Sequence, residues 1–250
     1  MNKKLKLVDW MEINSEKHDS LTSKMIQYVS IAEQIDVDVI GEWEITDLMK
    51  KYKSTKWIEE PINNSDATDS ISFDDSTLNL IEFNTITFGQ FIDLEFLISQ
   101  GFVDNINKIV TTLYLKSEKE KFKKAIVENY GDIDIDERAK FLMYETSIND
   151  VLGSANSYLK WRDNIFNSYT FWDDSLDDIN PDDLSGEELD IFEEETERLE
   201  RAKDTMWEDM LGLLSDGDIT KYDDILGTNI YLVFNRIAKV IEDAKKSNKK

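Results

Sequence analysis

Ile86-Thr87-Phe88-Gly89-Gln90-Phe91-Ile92-Asp93-Leu94-Glu95-Phe96-Leu97-Ile98-Ser99-Gln100-Gly101 holds a helix start, body and stop in one stretch. Thr87 is a good N-cap, because its hydroxyl accepts from a first-turn N–H that has no partner inside the helix. Gln90, three residues on, completes a capping box, and Ile86 before the cap matches Phe91 after it as a hydrophobic staple. Gly101 supplies the stop. The spacing predicts an apolar helix here, and two more after it. One covers 103–115, with Ile106, Ile109, Val110 and Leu113 on one face. The other covers 119–129, opened by a Ser117/Glu120 capping box and closed by Gly131.

Downstream the helical period continues. From Asp134 to about Phe171 apolar residues recur from Ala139 through Tyr169, with Gly153 as a weak point and Asp134 or Asp136 as the N-cap. Ser185 and Glu188 cap a further helix carrying Leu189, Phe192, Leu199, Met206, Met210 and Leu213. That near-heptad, broken by Thr196 and Lys203, reads as a helical hairpin arm ending at Gly217. A last helix is expected over 220–244, followed by a Lys-rich tail.

Upstream the pattern is mixed. Residues 20–35 carry a helical stripe of Leu21, Met25, Tyr28, Val29 and Ala32. Val37 to Trp43 alternates apolar and acidic residues as a short strand would, and a helix follows over 45–53. Ser76 to Ile86 reads as a strand or extended arm. The fold expected is mainly α, a helical bundle with long helices and a helical hairpin, plus a small mixed α/β N-terminal part. Its segments are 1–60, a polar linker at 61–75, and a helical domain at 76–250 with an acidic arm at 173–200.

Composition narrows the function. The 250 residues include 53 acids against 29 bases, a net charge of -24, with no cysteine and one histidine. Direct nucleic-acid binding through a general basic surface is not expected, since phosphate contacts need clustered Lys and Arg. No thiol nucleophile or Cys-based metal site exists, and His18 alone supports no multi-His site. Asp132, Asp134 and Asp136 alternate as calcium ligands would, but Glu137 and Met143 stand where such a loop needs Gly and Glu. Gly212 and Gly217 have phosphate-loop spacing, yet Asp218 follows instead of Lys. No apolar run approaches membrane-spanning length, and Lys3, Lys4 and Lys6 lead into no secretory apolar segment. The expectation is a non-enzyme without cofactor, metal or catalytic residues.

Two features point instead to binding. Between Asp173 and Glu200 lie 14 acids and one base, Arg198. Asp182, Asp183, Glu187, Glu188, Glu194 and Glu195 would form an acidic surface, either a solvated face or a dock for a basic partner. Of six tryptophans, Trp161, Trp172 and Trp207 suit a core, whereas Trp10, Trp43 and Trp57 lie in the irregular N-terminal part, where large aromatics can anchor partners.

The segment Thr85-Ile-Thr-Phe-Gly-Gln-Phe-Ile-Asp-Leu-Glu95, with Leu113-Tyr114 after it, resembles the opening of the helical body in tail-assembly chaperone-like and structural proteins of tailed bacteriophages. Met206-Trp207 and the run from Leu211 to Asp224, which contains Gly-Asp-Ile-Thr-Lys-Tyr-Asp-Asp, resemble their closing helix pair. Together these bracket 85–241; the tract at 173–200 and the first 75 residues lie outside the resemblance. It implies a non-enzymatic tail or head–tail protein, an assembly chaperone or virion component, acting by helix-mediated protein–protein binding. Phe88, Phe91, Ile92, Phe96, Ile109 and Leu113 are the expected partner-binding residues. The partners expected are phage tail or neck subunits, with no membrane and with oligomerisation left open; the location is host cytoplasm during assembly, or the virion. The alternative is an acidic inhibitor or nucleic-acid mimic that blocks a basic partner.

Overall fold

Serine and aspartate caps fix several of the helix starts. Ser20 accepts from the Ser23 N–H at 3.1 Å and opens α2, Leu21–Glu33, which follows α1, Leu7–Ser15. Asp36 accepts from the Asp38 N–H at 2.9 Å and opens α3, Val37–Gly41; α4 is Ile45–Ser54. The computed structural model describes residues 5–15, 18–59, 67–74, 76–120, 123–126, 128–169, 186 and 205–247. Within them the protein is mainly α-helical, with one four-stranded antiparallel sheet.

The sheet runs β1 (Ser70–Phe73), β2 (Ser76–Leu80), β3 (Tyr114–Glu120) and β4 (Lys123–Ile126), in that spatial order. The remaining helices are α5 (Phe88–Ser99), α6 (Ile106–Leu113), α7 (Ile135–Glu145), α8 (Ile148–Ser168), α9 (205–215), α10 (Tyr222–Leu226) and α11 (Ile230–Ser247). The chain forms two units interleaved in sequence. The first comprises 1–81 and 94–159, the second 82–93 and 160–250.

In the first unit, Met25 and Val29 of α2, Ile40 of α3 and Leu48 of α4 make a buried cluster, with Trp43 and Tyr52 packed against it. A separate backbone link ties the N-terminus to the α7–α8 junction. Lys6 pairs with Ser147, the Leu7 N–H donates to the Thr146 carbonyl at 2.9 Å, and the Ile148 N–H donates to the Leu5 carbonyl at 3.1 Å. On the sheet, Leu78 is paired with Lys116 and Leu80 with Tyr114, which seats Ile71, Leu78, Tyr114 and Leu115 in the interior.

In the second unit the chain before α5 pairs with the chain before α11. Thr87 bridges Asn229, the Phe88 N–H donates to the Thr228 carbonyl at 2.8 Å, and the Ile230 N–H donates to the Ile86 carbonyl at 3.0 Å. Gly89 permits the close approach: a Cβ there would lie 3.3 Å from the Leu226 carbonyl oxygen. Phe91 is the hub of this core. Its ring meets Phe234 at 5.5 Å, Trp207 at 5.7 Å, Phe166 at 5.9 Å and Trp161 at 6.3 Å between centroids, all near-perpendicular.

The capping box appears as the sequence predicts. Thr87 N–H donates to Gln90 Oε1 at 3.1 Å, and Gln90 N–H donates to Thr87 Oγ1 at 3.3 Å. The helix stops at Gly101, whose φ of +111° is a conformation side chains resist. Asp134 caps α7 by accepting from the Glu137 N–H at 2.9 Å.

Five expectations are corrected. Val37–Trp43 is not a strand, because the Asp36 cap starts one turn of helix and only Ile40 of Val37, Val39 and Ile40 is buried. Where a helix is expected at 119–129, residues 119–120 and 123–126 lie in the antiparallel pair β3–β4, whose ladder overrides local helix preference. The stretch 134–171 breaks at Thr146–Ser147, not at Gly153, because those residues bond the N-terminal chain. The helix at 220–244 is two helices, split where Asn229 pairs with Thr87. Part of the segment expected as a linker, Ser70–Phe73, is strand β1. The Ser185/Glu188 box and most of the hairpin arm lie outside the described residues, whereas its end is α9 followed by Gly217 at φ +77°.

Candidate interaction surface

Polar groups buried in the first unit are used to hold it together. Tyr114 is fully buried; its hydroxyl lies 2.6 Å from the Thr68 carbonyl and 2.6 Å from Ser154 Oγ, which in turn accepts from the Thr68 N–H at 3.1 Å. Burial pushes the phenol up to about 12, so it stays a neutral donor. Arg138, on α7, makes a two-pronged pair with Glu128 at 2.9 and 2.5 Å, while the Lys116 N–H donates to the same carboxylate at 2.9 Å. Burial alone would raise the Glu128 carboxyl. The Arg138 and Lys116 hydrogen bonds and charges outweigh it and hold the group below its usual range. The Arg138 guanidinium also stacks 5.2 Å from the Phe73 ring, which meets Phe141 edge-on at 4.9 Å, so β1, β3 and α7 share one knot. Tyr158 and Glu95 form a second interior pair at 3.4 Å.

Each of these arrangements ties separate elements of the first unit to one another. His18 packs its ring edge-on against Tyr28 at 6.1 Å, with Nε2 buried. Among the described residues no group of three His, Cys, Asp or Glu is placed to hold a metal ion, and no helix is long and apolar enough to cross a membrane.

The residues expected to bind a partner divide sharply. Phe88, Phe91, Ile109 and Leu113 are fully buried, so their apolar surface is spent on the cores of their own units and the expectation for them is corrected. Ile92 is half-buried. Phe96 alone of the six is open, at 61% exposure. Trp161 and Trp207 lie in the aromatic core, as a packing role requires, and Trp43 packs on the α2–α4 cluster. Trp10 and Trp57 are half-buried, and Trp172 lies outside the described residues. Asp182, Asp183, Glu187, Glu188, Glu194 and Glu195 also lie outside them.

Two exposed helical faces went unread in the sequence. On α3 and α4, Val37, Val39, Ile45 and Met49 stand open to solvent, Val39 at 53%. Ile45 and Met49 are one turn apart and share a face. Around them Asp36, Asp38, Glu42, Glu44 and Asp47 are all exposed, with no Lys or Arg between residues 35 and 49. On α11, Leu232 at 63% and Val240 are exposed on the side away from buried Ile230, Val233, Phe234 and Ile237. Arg236, Lys239 and Lys246 share that outer face, with the exposed acids Glu242 and Asp243 beside them. On α3 the apolar residues alternate with acids, whereas on α11 Leu232 and Val240 fall in the same apolar run as buried Val233 and Ile237.

Compared with protein-family models, curated proteins and solved structures, the chain gives no match.

Proposed function

We propose that this protein is a non-enzymatic bacteriophage assembly or structural protein of the tail or head–tail region that binds other protein subunits through its helix faces. The observation that carries the binding part is the set of large apolar side chains left exposed on α3, α4 and α11, each among charged residues. Exposed apolar groups rimmed by charge are what a protein interface uses at its centre and edge. The buried Tyr114–Ser154 and Arg138–Glu128 groups support the non-enzymatic part, since each is consumed in cross-linking elements. The phage assignment rests on the resemblance of residues 85–95 and 206–224 to tail-assembly and structural proteins. The cytoplasm during assembly, or the finished virion, is the location that goes with this role.

Mass spectrometry of purified particles, alongside affinity capture of the tagged chain from producing cells, tests the reading. Recovery in particles marks a virion component, and recovery only with free tail or neck subunits marks a chaperone. The net charge of -24 favours one other reading, an acidic inhibitor of a basic protein. Capture of a nucleic-acid-binding enzyme in place of tail subunits would establish that reading and overturn the first.

A further inference from the structure

In a chain of net charge -24, the exposed bases Arg236 and Lys239 on α11, which make no ion pair among the described residues, stand out against the acids Glu242 and Asp243 farther along the same helix. The outer side of α11 presents Arg236, Lys239 and Lys246 with Leu232 and Val240. Lys246 is paired with Glu242 at 2.5 Å, whereas Arg236 and Lys239 make no ion pair among the described residues. The α3–α4 face has the same build with the charge reversed. Val37, Val39, Ile45 and Met49 lie among Asp36, Asp38, Glu42, Glu44 and Asp47, and none of these acids makes an ion pair among the described residues.

We infer that the α3–α4 face docks the α11 face of a second copy of this chain, so that the protein self-associates head to tail. Each face has what the other lacks: apolar side chains to bury against one another, and unpaired charges of opposite sign around them. Because the two faces differ, the contact is heterologous, and each added copy leaves one face of each kind free, so assembly proceeds to a closed ring or an open row. The inference does not depend on which outside subunit the protein binds, nor on its phage origin.

Sedimentation velocity of the full chain over a concentration series tests it with two variants. Val39→Asp with Ile45→Asp spoils the acidic face, and Arg236→Glu with Lys239→Glu spoils the basic one. All four positions are exposed, so the fold tolerates the changes. The wild type is expected to grow in mass with concentration and to shrink as salt screens the rim charges. Each variant alone is expected to remain one chain. Their equimolar mixture is expected to stop at two chains, since each supplies the one good face the other needs. A wild type that stays one chain throughout, variants that associate like wild type, or a mixture that fails to pair would each overturn the inference.

Discussion

Tyr114 carries more of the first unit than its single hydroxyl suggests. It reaches Ser154 on α8 and the backbone before β1 at once, from inside the sheet. Tyr114→Phe removes the hydroxyl and leaves the Thr68 carbonyl without that donor, which is expected to cost ~1–3 kcal/mol in denaturant unfolding. The same burial predicts a spectroscopic result. Exposed tyrosines ionise near pH ~10, and Tyr114, pushed up to about 12, is expected to titrate above them, a step the Phe variant lacks. Glu128 has the opposite character. Its folded value lies below its ordinary 4.5, so the folded state favours the ionised form. That contribution is fully present above the unfolded value and is lost as pH falls through the folded one. Stability measured down the acid limb is therefore expected to fall less steeply in Glu128→Gln, which starts lower at neutral pH.

Helix α5 shows what sequence alone can specify. Cap, box and staple all lie within a few residues of Thr87, so local chemistry decides them before any distant contact forms. Thr87→Ala is expected to lower stability by about 1 kcal/mol, read as a shift in the denaturation midpoint. Asp134 is legible for the same reason: a side chain and an N–H three residues away settle the matter. The errors share the opposite cause. Lys-Ser-Glu-Lys-Glu at 116–120 has helical preference and a capping box, yet pairing of Lys116 with Leu78 and of 117–120 with β4 holds it as β3. The breaks at Ser147 and Asn229 follow from pairing with Lys6 and Thr87, partners more than a hundred residues off that no local window contains. The interaction faces were hidden for a related reason. Apolar periodicity marks what is able to be buried, and Leu232 and Val240 belong to the same helical pattern as the core residues Val233 and Ile237.

At the scale of the whole molecule, the apolar residues fall into two populations with different duties. Phe88 and Phe91 fill the aromatic core of the second unit, and Phe91→Ala is expected to cost ~3–5 kcal/mol there, seen in equilibrium unfolding with the self-association of the remaining folded protein unchanged. Val39, Ile45, Leu232 and Val240 stay in contact with water at a hydrophobic cost that only a partner removes. The large negative charge keeps such a chain from collapsing onto itself non-specifically, while two faces of opposite sign give one preferred arrangement. Cross-linking of an equal mixture of unlabelled and heavy-isotope-labelled chains, read by mass spectrometry, tests this most directly. Lysines flank both faces, Lys50 and Lys53 on α4 and Lys239 and Lys246 on α11. Mixed-isotope cross-links joining an α4 lysine to an α11 lysine are the predicted result. An absence of mixed-isotope pairs between those lysines, at concentrations where the chain sediments above the mass of one copy, would contradict it.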